Sequence, residues 1–144
     1  MTVKNQLAEA VIVERTLNAP VARVWKALID VDQMREWYFD LKEFKPQVGF
    51  EFEFVVKHEG NSHYHLCRIT EVVPQEKIAY TLRFKGEPGD SLVTFELFPE
   101  GDKTRVKVTH AGIETFPKTP IYARNKFETG WTQIIDSQLR QFVE

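Results

Sequence analysis

The fold is decided by residues 121–143, which read IYARNKFETGWTQIIDSQLRQFV. Apolar residues recur there mostly at steps of three and four, which is the spacing of one face of an α-helix. Thr119 and Pro120 come just before as a candidate N-cap and first helical residue. A helix of this length spans about 30 Å, the width of a small domain. Its predicted inner face consists of Phe127, Trp131, Ile134, Ile135, Leu139 and Phe142.

Gly130 interrupts this predicted helix. Glycine inside a helix costs roughly 0.5–1 kcal/mol relative to alanine, so its presence indicates a specific role. We expect that the missing side chain lets the helix backbone approach the sheet closely and sets the depth of Trp131.

The composition predicts one domain over residues 1–144 and excludes several classes of partner. The chain carries 19 basic and 21 acidic side chains without a run of either sign, which argues against nucleic acid. No apolar run approaches the ~20 residues that span a bilayer, and residues 1–6 lack the apolar segment of a signal peptide. The single cysteine, Cys67, permits no internal disulfide. We therefore expect a cytoplasmic protein that neither binds nucleic acid nor inserts into a membrane.

Most of the chain before the terminal helix has the pattern of β-strands. Residues 10–17 are a predicted first strand, Asn18 caps the helix after it with Pro20 in the first turn, and a second short helix covers residues 34–38. Alternating apolar residues and intervening turns then predict an antiparallel meander. Together these elements predict an α+β helix-grip fold, in which a curved antiparallel sheet of about seven strands, including the N-terminal one, wraps around the C-terminal helix. The meander strands cover residues 50–57, 63–72, 78–84, 92–98 and 104–109.

For the strand over residues 63–72 the sequence does not determine which side chains face the core. In a regular strand Arg68 and Glu71 lie on opposite faces, so either choice points one charged side chain inward. A predicted turn at residues 59–62 precedes it. His63, His65 and Cys67 alternate on one face, and such spacing can hold zinc. No fourth ligand lies nearby in the sequence, so we predict no metal site.

Two polar side chains are expected on inward faces of strands. His110 alternates with Val106 and Val108, and it is either a polar anchor or proton-transfer group in a cavity, or a buried neutral imidazole bonded to backbone. We favour the second interpretation, because buried polar groups are normally satisfied locally. Tyr80 shares a face with apolar residues, so its hydroxyl should meet polar space or a ligand. The chain contains no nucleophile elbow, phosphate loop or dinucleotide fingerprint, and we assign neither a catalytic residue nor a cofactor.

Short motifs spread over nearly the whole chain are similar to those of a known family. They are ERTLNAP at 14–20, VWKAL at 24–28, EWY at 36–38, EVVP at 71–74, SLVTF at 91–95, THAG at 109–112 and GW at 130–131. Their order resembles the START/SRPBCC superfamily and, within it, the family named for activators of the heat-shock-protein-90 ATPase. The chain departs from that pattern at Gly49-Phe50, where many members carry two glycines.

The resemblance implies a deep cavity between helix and sheet, which the superfamily uses for lipids, sterols, polyketides and other apolar ligands. We therefore expect a non-enzymatic protein that binds a small apolar ligand there. The expected cavity residues are Trp37, Phe39, Phe52, Phe54, Tyr80, Leu82, Phe95, His110, Trp131 and Ile135.

Two other functions are kept as alternatives. One is an enzyme of the cyclase or dehydratase type, with His110 or Tyr80 as the acid–base group. The other is a regulator of a chaperone ATPase, which predicts an apolar patch on the outer face of the sheet or around residues 37–39. We rank the regulator last, because in the family that activity belongs to proteins with an additional amino-terminal domain, for which this chain has no room.

Trp37, Tyr38 and Phe39 are consecutive, and three consecutive side chains cannot all face one core from a helix or a strand. At least one of them should be exposed or line an opening. The resemblance places this segment beside the entrance of the cavity. We expect Trp37 to act there as a lid over the ligand.

Overall fold

The computed structural model describes residues 10–58 and 60–144, with His58 described by its backbone alone. Residues 1–6, on which the signal-peptide prediction rests, and residue 59 of the predicted turn lie outside this part. The chain forms a first strand, two short helices, five further strands and a terminal helix. The strands are β1 (Val11–Leu17), β2 (Glu51–His58), β3 (Asn61–Val73), β4 (Lys77–Phe84), β5 (Ser91–Glu100) and β6 (Lys103–Ala111).

The six strands form one antiparallel sheet in the order β1-β6-β5-β4-β3-β2. The predicted α+β helix-grip architecture is confirmed, with six strands among the described residues where about seven were expected. Apolar side chains at alternate positions of each strand are buried on one face, as in the pattern of β6. The helices cover this inner face.

The facing of β3 is settled by a β-bulge between Ile69 and Glu71. His63, His65, Cys67 and Ile69 point inward, and the extra residue then reverses the alternation. Arg68 and Glu71 are therefore both exposed. The sequence argument assumed a regular strand, in which one of them would have faced the core.

Helix α1 (Val21–Ile29) and helix α2 (Val31–Trp37) follow β1 directly. The predicted cap of α1 by Asn18 is wrong, because Pro20 occupies the N-cap position and no side chain caps it. Helix α2 starts earlier than predicted, because Asp30 caps it: its Oδ1 accepts from the backbone N–H groups of Asp32 at 2.9 Å and Gln33 at 3.3 Å.

The terminal helix, named α3 here, begins at Arg124 rather than near Ile121. Thr119 and Pro120 instead start a short 3₁₀ turn, Pro120–Tyr122. Helix α3 is α-helical over Arg124–Gln133, becomes a π-helix over Ile134–Leu139 and ends as α-helix over Arg140–Val143.

The buried side chains of α3 are spaced four residues apart. They are Trp131, Ile135, Leu139 and Val143. In a regular helix of 3.6 residues per turn this spacing would drift around the axis. The π-helical stretch takes more residues per turn, so it keeps the stripe facing the sheet. The other predicted inner residues, Phe127, Ile134 and Phe142, are only partly buried.

The expected role of Gly130 is wrong. This residue is exposed, and a Cβ atom placed on it would meet nothing within 4 Å. Gly130 therefore lies on the solvent side of α3 and does not bring the helix backbone close to the sheet.

The carboxyl end of α3 is fixed to α1. The guanidinium of Arg23 donates to the backbone carbonyls of Val143 at 2.6 Å and Phe142 at 2.9 Å. These carbonyls have no partner inside the helix, so the arginine satisfies them. Among the described residues, none of the helices is both long and apolar enough to span a membrane.

Candidate functional site

The inner face of the sheet carries a small cavity rather than the deep one expected. Its volume is about 10 Å³, enough for one water molecule. Residues from α1, α2, the connection after α2, β4 and β5 line it, and none of the lining residues belongs to α3. The cavity therefore lies under the two short helices instead of between the terminal helix and the sheet. The lining residues are Leu28, Met34, Trp37, Tyr38, Phe44, Ile78, Tyr80 and Phe95.

Three of the ten predicted cavity residues line this space: Trp37, Tyr80 and Phe95. The other seven do not line it. Six of them are buried, namely Phe52, Phe54, Leu82, His110, Trp131 and Ile135. The seventh, Phe39, is partly buried.

Aromatic rings fill the rest of the interior. The Phe52 ring meets the Tyr80 ring edge-on at 5.1 Å between centroids, and the Phe95 and Trp131 rings meet in the same way at 5.7 Å. Such contacts are favourable beyond the area that they bury. The chain thus occupies, with its own side chains, the space in which a ligand was expected.

Tyr38 and Tyr80 form a buried hydroxyl pair at the cavity. Their Oη atoms are 2.5 Å apart, with Tyr38 on the connection and Tyr80 on β4. Burial is the main cause that raises the pKa of each hydroxyl above its ordinary value. Both groups are therefore neutral and protonated at physiological pH.

His110 lies in a second polar network, away from the cavity. The indole Nε1–H of Trp131 donates to His110 Nδ1 at 3.0 Å. His110 Nε2 must then carry the proton, which it donates to Ser91 Oγ at 2.8 Å. Ser91 Oγ in turn donates to the carbonyl of Leu82 at 2.6 Å.

The network makes His110 a buried neutral imidazole. It is 1% exposed, and burial is the main cause that lowers its pKa to about 3. Its partners are side chains rather than the backbone groups that we expected. Both ring nitrogens are occupied, so His110 has no free lone pair or proton with which to serve as an acid–base group in this structure.

Residues 37–39 divide between the core and the surface. Trp37 and Tyr38 are buried, and Trp37 Nε1 donates to the carbonyl of Ala27 at 2.8 Å. Phe39 is only partly buried and stacks on Phe54 at 4.3 Å between centroids. Trp37 therefore belongs to the wall of the cavity, inside the core, and Phe39 is the one of the three that reaches the surface.

The histidines of β3 do not form a metal centre. Within the part of the chain that the structure describes, no group of three or more His, Cys, Asp or Glu side chains is placed to hold a metal ion. His65 packs between Phe54 and Phe84, and burial lowers its pKa to about 4. His63 Nε2 is buried and has no hydrogen-bond partner among the described residues.

The outer face of the sheet exposes apolar side chains on four strands: Ile12, Val55, Tyr64 and Leu92. Val55 and Tyr64 are direct cross-strand neighbours, and Lys85 Nζ lies 5.5 Å from the centroid of the Tyr64 ring. Trp37 and Tyr38 are buried, and Phe39 is only partly exposed, so residues 37–39 do not form an exposed apolar patch.

Five lining residues were not among the ten predicted, and Ser91 of the His110 network was not identified either. The five are Leu28, Met34, Tyr38, Phe44 and Ile78. Tyr38 was considered only as one of three consecutive aromatics, although a tyrosine that follows a helix can turn its hydroxyl inward. Phe44 lies in a segment without clear periodicity. Ser91 is the first residue of β5, one position before the predicted strand, and it shares the buried face of Val93 and Phe95, so extending the alternation by one residue would have placed it inward.

Comparison with known proteins agrees with this architecture. Protein CV1439 from Chromobacterium violaceum is 28% identical, with a TM-score of 0.80 over 95% of this chain and 98% of that one. CalU16 from Micromonospora echinospora is 25% identical, with a TM-score of 0.73 over 94% of this chain and 76% of that one. DynU16, described as a protein of the dynemicin biosynthetic locus, is 19% identical and has a TM-score of 0.76 over 93% of this chain and 46% of that one, which shows the fold alone.

No curated protein matches the chain. The model of one protein family matches residues 18–144, which is the whole chain after β1. The matched segment includes both short helices, the meander and α3. The chain belongs to the family of Activator of Hsp90 ATPase homolog 1-like proteins.

Proposed function

We propose that this protein binds a small apolar molecule at the inner face of the sheet, under α1, α2 and the connection that follows them. The family and its helix-grip fold support a ligand-binding domain. The proposed ligand is apolar because five of the eight residues that line the cavity have apolar side chains: Leu28, Met34, Phe44, Ile78 and Phe95. A sixth, Trp37, has one polar group, the indole N–H, which already donates to the backbone carbonyl of Ala27.

The observation that carries the proposal is the connection between α2 and β2, residues 38–50, which forms one wall of the cavity. It contains neither helix nor strand, and it supplies Tyr38 and Phe44 to the wall. Connections longer than about 12 residues without secondary structure are uncommon and usually functional. Backbone groups of Gly49 and Phe50 hydrogen-bond to Ile69 on β3. The Arg35 guanidinium of α2 donates to the carbonyls of Leu41 at 2.6 Å and Lys42 at 2.7 Å, so these two bonds must break or move with the segment when it opens.

The cavity must enlarge before a ligand can enter. Sites for small molecules measure about 300–1,000 Å³, against about 10 Å³ in the closed protein. Binding therefore selects or induces an open state, and the apparent affinity is reduced by the fraction of molecules that are open. Displacement of Phe44, which lies on the connection and lines the cavity, would enlarge it.

The test is a titration of the native protein with the apolar fluorophore Nile red, together with native mass spectrometry of the freshly purified protein. We expect saturable binding of one probe molecule per chain. Phe44→Leu shortens a wall residue and lowers the cost of opening, so it should tighten binding severalfold. Phe98→Leu is the matched control, because Phe98 lies on the outer face of the sheet with the Arg105 guanidinium 4.2 Å from its ring centroid.

Absence of saturable binding to both the wild type and Phe44→Leu would refute the proposed function. A melting curve for each variant separates a change in the site from a loss of folding. Equal gains in Phe44→Leu and Phe98→Leu would show that the probe responds to lower stability rather than to the cavity.

A further inference from the structure

The hydroxyl pair of Tyr38 and Tyr80 has one more donor than it can use internally. Each phenol carries one proton, and the contact at 2.5 Å between the two Oη atoms uses one of them. No other hydrogen bond of either hydroxyl occurs among the described residues. One O–H group is thus left without an acceptor, in an interior where an unmade hydrogen bond is costly.

The unused proton lies where a ligand would bind. Tyr38 and Tyr80 both line the cavity, and the other lining side chains offer no carboxylate, amide or hydroxyl oxygen. Neither hydroxyl can discard its proton, because burial favours the neutral phenol. The pair therefore presents one unused O–H donor toward whatever occupies the cavity.

We propose that the Tyr38–Tyr80 pair donates this hydrogen bond to the carbonyl oxygen of an apolar ketone or ester, which is the class of ligand that the site takes. This inference rests on the proposed function and adds the chemical group that the pocket recognises. In the closed state the same proton can reach a single water molecule, which the volume of the cavity accommodates. The ligand's carbonyl replaces that water.

Other polar groups fit the site less well than a carbonyl. A carboxylate would be buried without a cation, because no lining residue is basic. A hydroxyl would accept the bond but would also need a lone pair of a phenol oxygen in the right direction for its own proton. A carbonyl oxygen accepts and donates nothing, so it leaves no polar atom unpaired.

The experiment compares two rigid molecules of nearly the same shape, 9-fluorenone and fluorene, which differ by a carbonyl in place of a methylene. Their affinities are measured for the wild type and for the double variant Tyr38→Phe/Tyr80→Phe. Leaving a buried carbonyl unpaired costs about one to two powers of ten in affinity. We expect the ratio of fluorenone to fluorene affinity to fall about tenfold or more in the double variant, with fluorene binding retained.

Tyr64→Phe is the matched control, because the Tyr64 ring is exposed on the outer face of the sheet. It should leave the ratio unchanged. The infrared carbonyl stretch of bound fluorenone gives a second readout, which should lie at lower frequency in the wild type than in the double variant.

An unchanged affinity ratio and carbonyl frequency, with both compounds bound, would overturn the assignment and leave the proposed function standing. It would mean that the pair holds only water. Failure of both compounds to bind the folded wild type would count against the proposed function itself.

Discussion

Acidification should destabilise this protein through His110. The imidazole is 1% exposed, its pKa is lowered to about 3 chiefly by burial, and its Nδ1 must stay unprotonated to accept from Trp131. The ordinary pKa of histidine, about 6.5, applies in the unfolded chain. The unfolded state therefore binds a proton at a higher pH than the folded state does.

The sign and size of the effect follow from linkage. Stability from the neutral imidazole is complete above pH 6.5 and is lost as the pH falls toward 3. At pH 5 the unfolded imidazole is protonated and the folded one is not, which lowers the free energy of unfolding by about 2 kcal/mol.

The assay is urea unfolding of the wild type and His110→Gln at pH 7.5 and pH 5. Glutamine does not titrate, and its amide can both accept from Trp131 and donate to Ser91. We expect the wild type to lose about 2 kcal/mol more than the variant, or about 1 M in urea midpoint for an m-value near 2 kcal/mol per M. His65, whose pKa is lowered to about 4, contributes to both proteins and cancels. Equal losses in the two proteins would refute the reasoning.

Three substitutions, the first with a matched control, test a buried hydrogen bond and two backbone positions by urea and thermal unfolding. Ser91→Ala leaves the buried Nε2–H of His110 unpartnered and should lower the free energy of unfolding by about 1–3 kcal/mol. Its control, Ser62→Ala at an exposed position, should change it by no more than about 0.5 kcal/mol. Equal losses in the two variants would contradict the network. Gly130→Ala should stabilise the protein by about 0.5–1 kcal/mol, since a Cβ there meets no atom, and a loss would mean that the helix surface is packed. Gln75→Gly should gain up to about 1 kcal/mol by relieving a φ of +63°; a lower midpoint would show that this turn is unstrained.

The architecture could be predicted from the sequence because it depends on periodicity. Alternation in the strands and the apolar face of α3 each follow from the geometry of one element. The bulge at Thr70 breaks that rule, because a single inserted residue reverses the alternation within the strand. Arg68 and Glu71 did carry a signal: two charged residues that cannot share a face in a regular strand indicate an irregular one.

The site could be predicted less well, because it depends on which side chains meet. The Trp131–His110–Ser91 network joins α3, β6 and β5, and no local pattern relates these three residues. The same holds for the Tyr38–Tyr80 pair, which joins the connection after α2 to β4. Periodicity placed Tyr80 and His110 on inward faces and left their partners undetermined.

The volume of the cavity is the quantity that sequence reasoning could not give. Resemblance to a family supplies the backbone, which leaves a space between the helices and the sheet, and the side chains then decide how much of that space is empty. Here Trp37, Phe44 and Phe95 are among the aromatic rings that line what is left, about 10 Å³. Phe44, on the connection, is the ring that a ligand must displace, and an apolar ligand would restore the burial that it loses. The cost of opening thus falls mainly on moving the connection, and for that reason a smaller side chain at position 44 should strengthen binding.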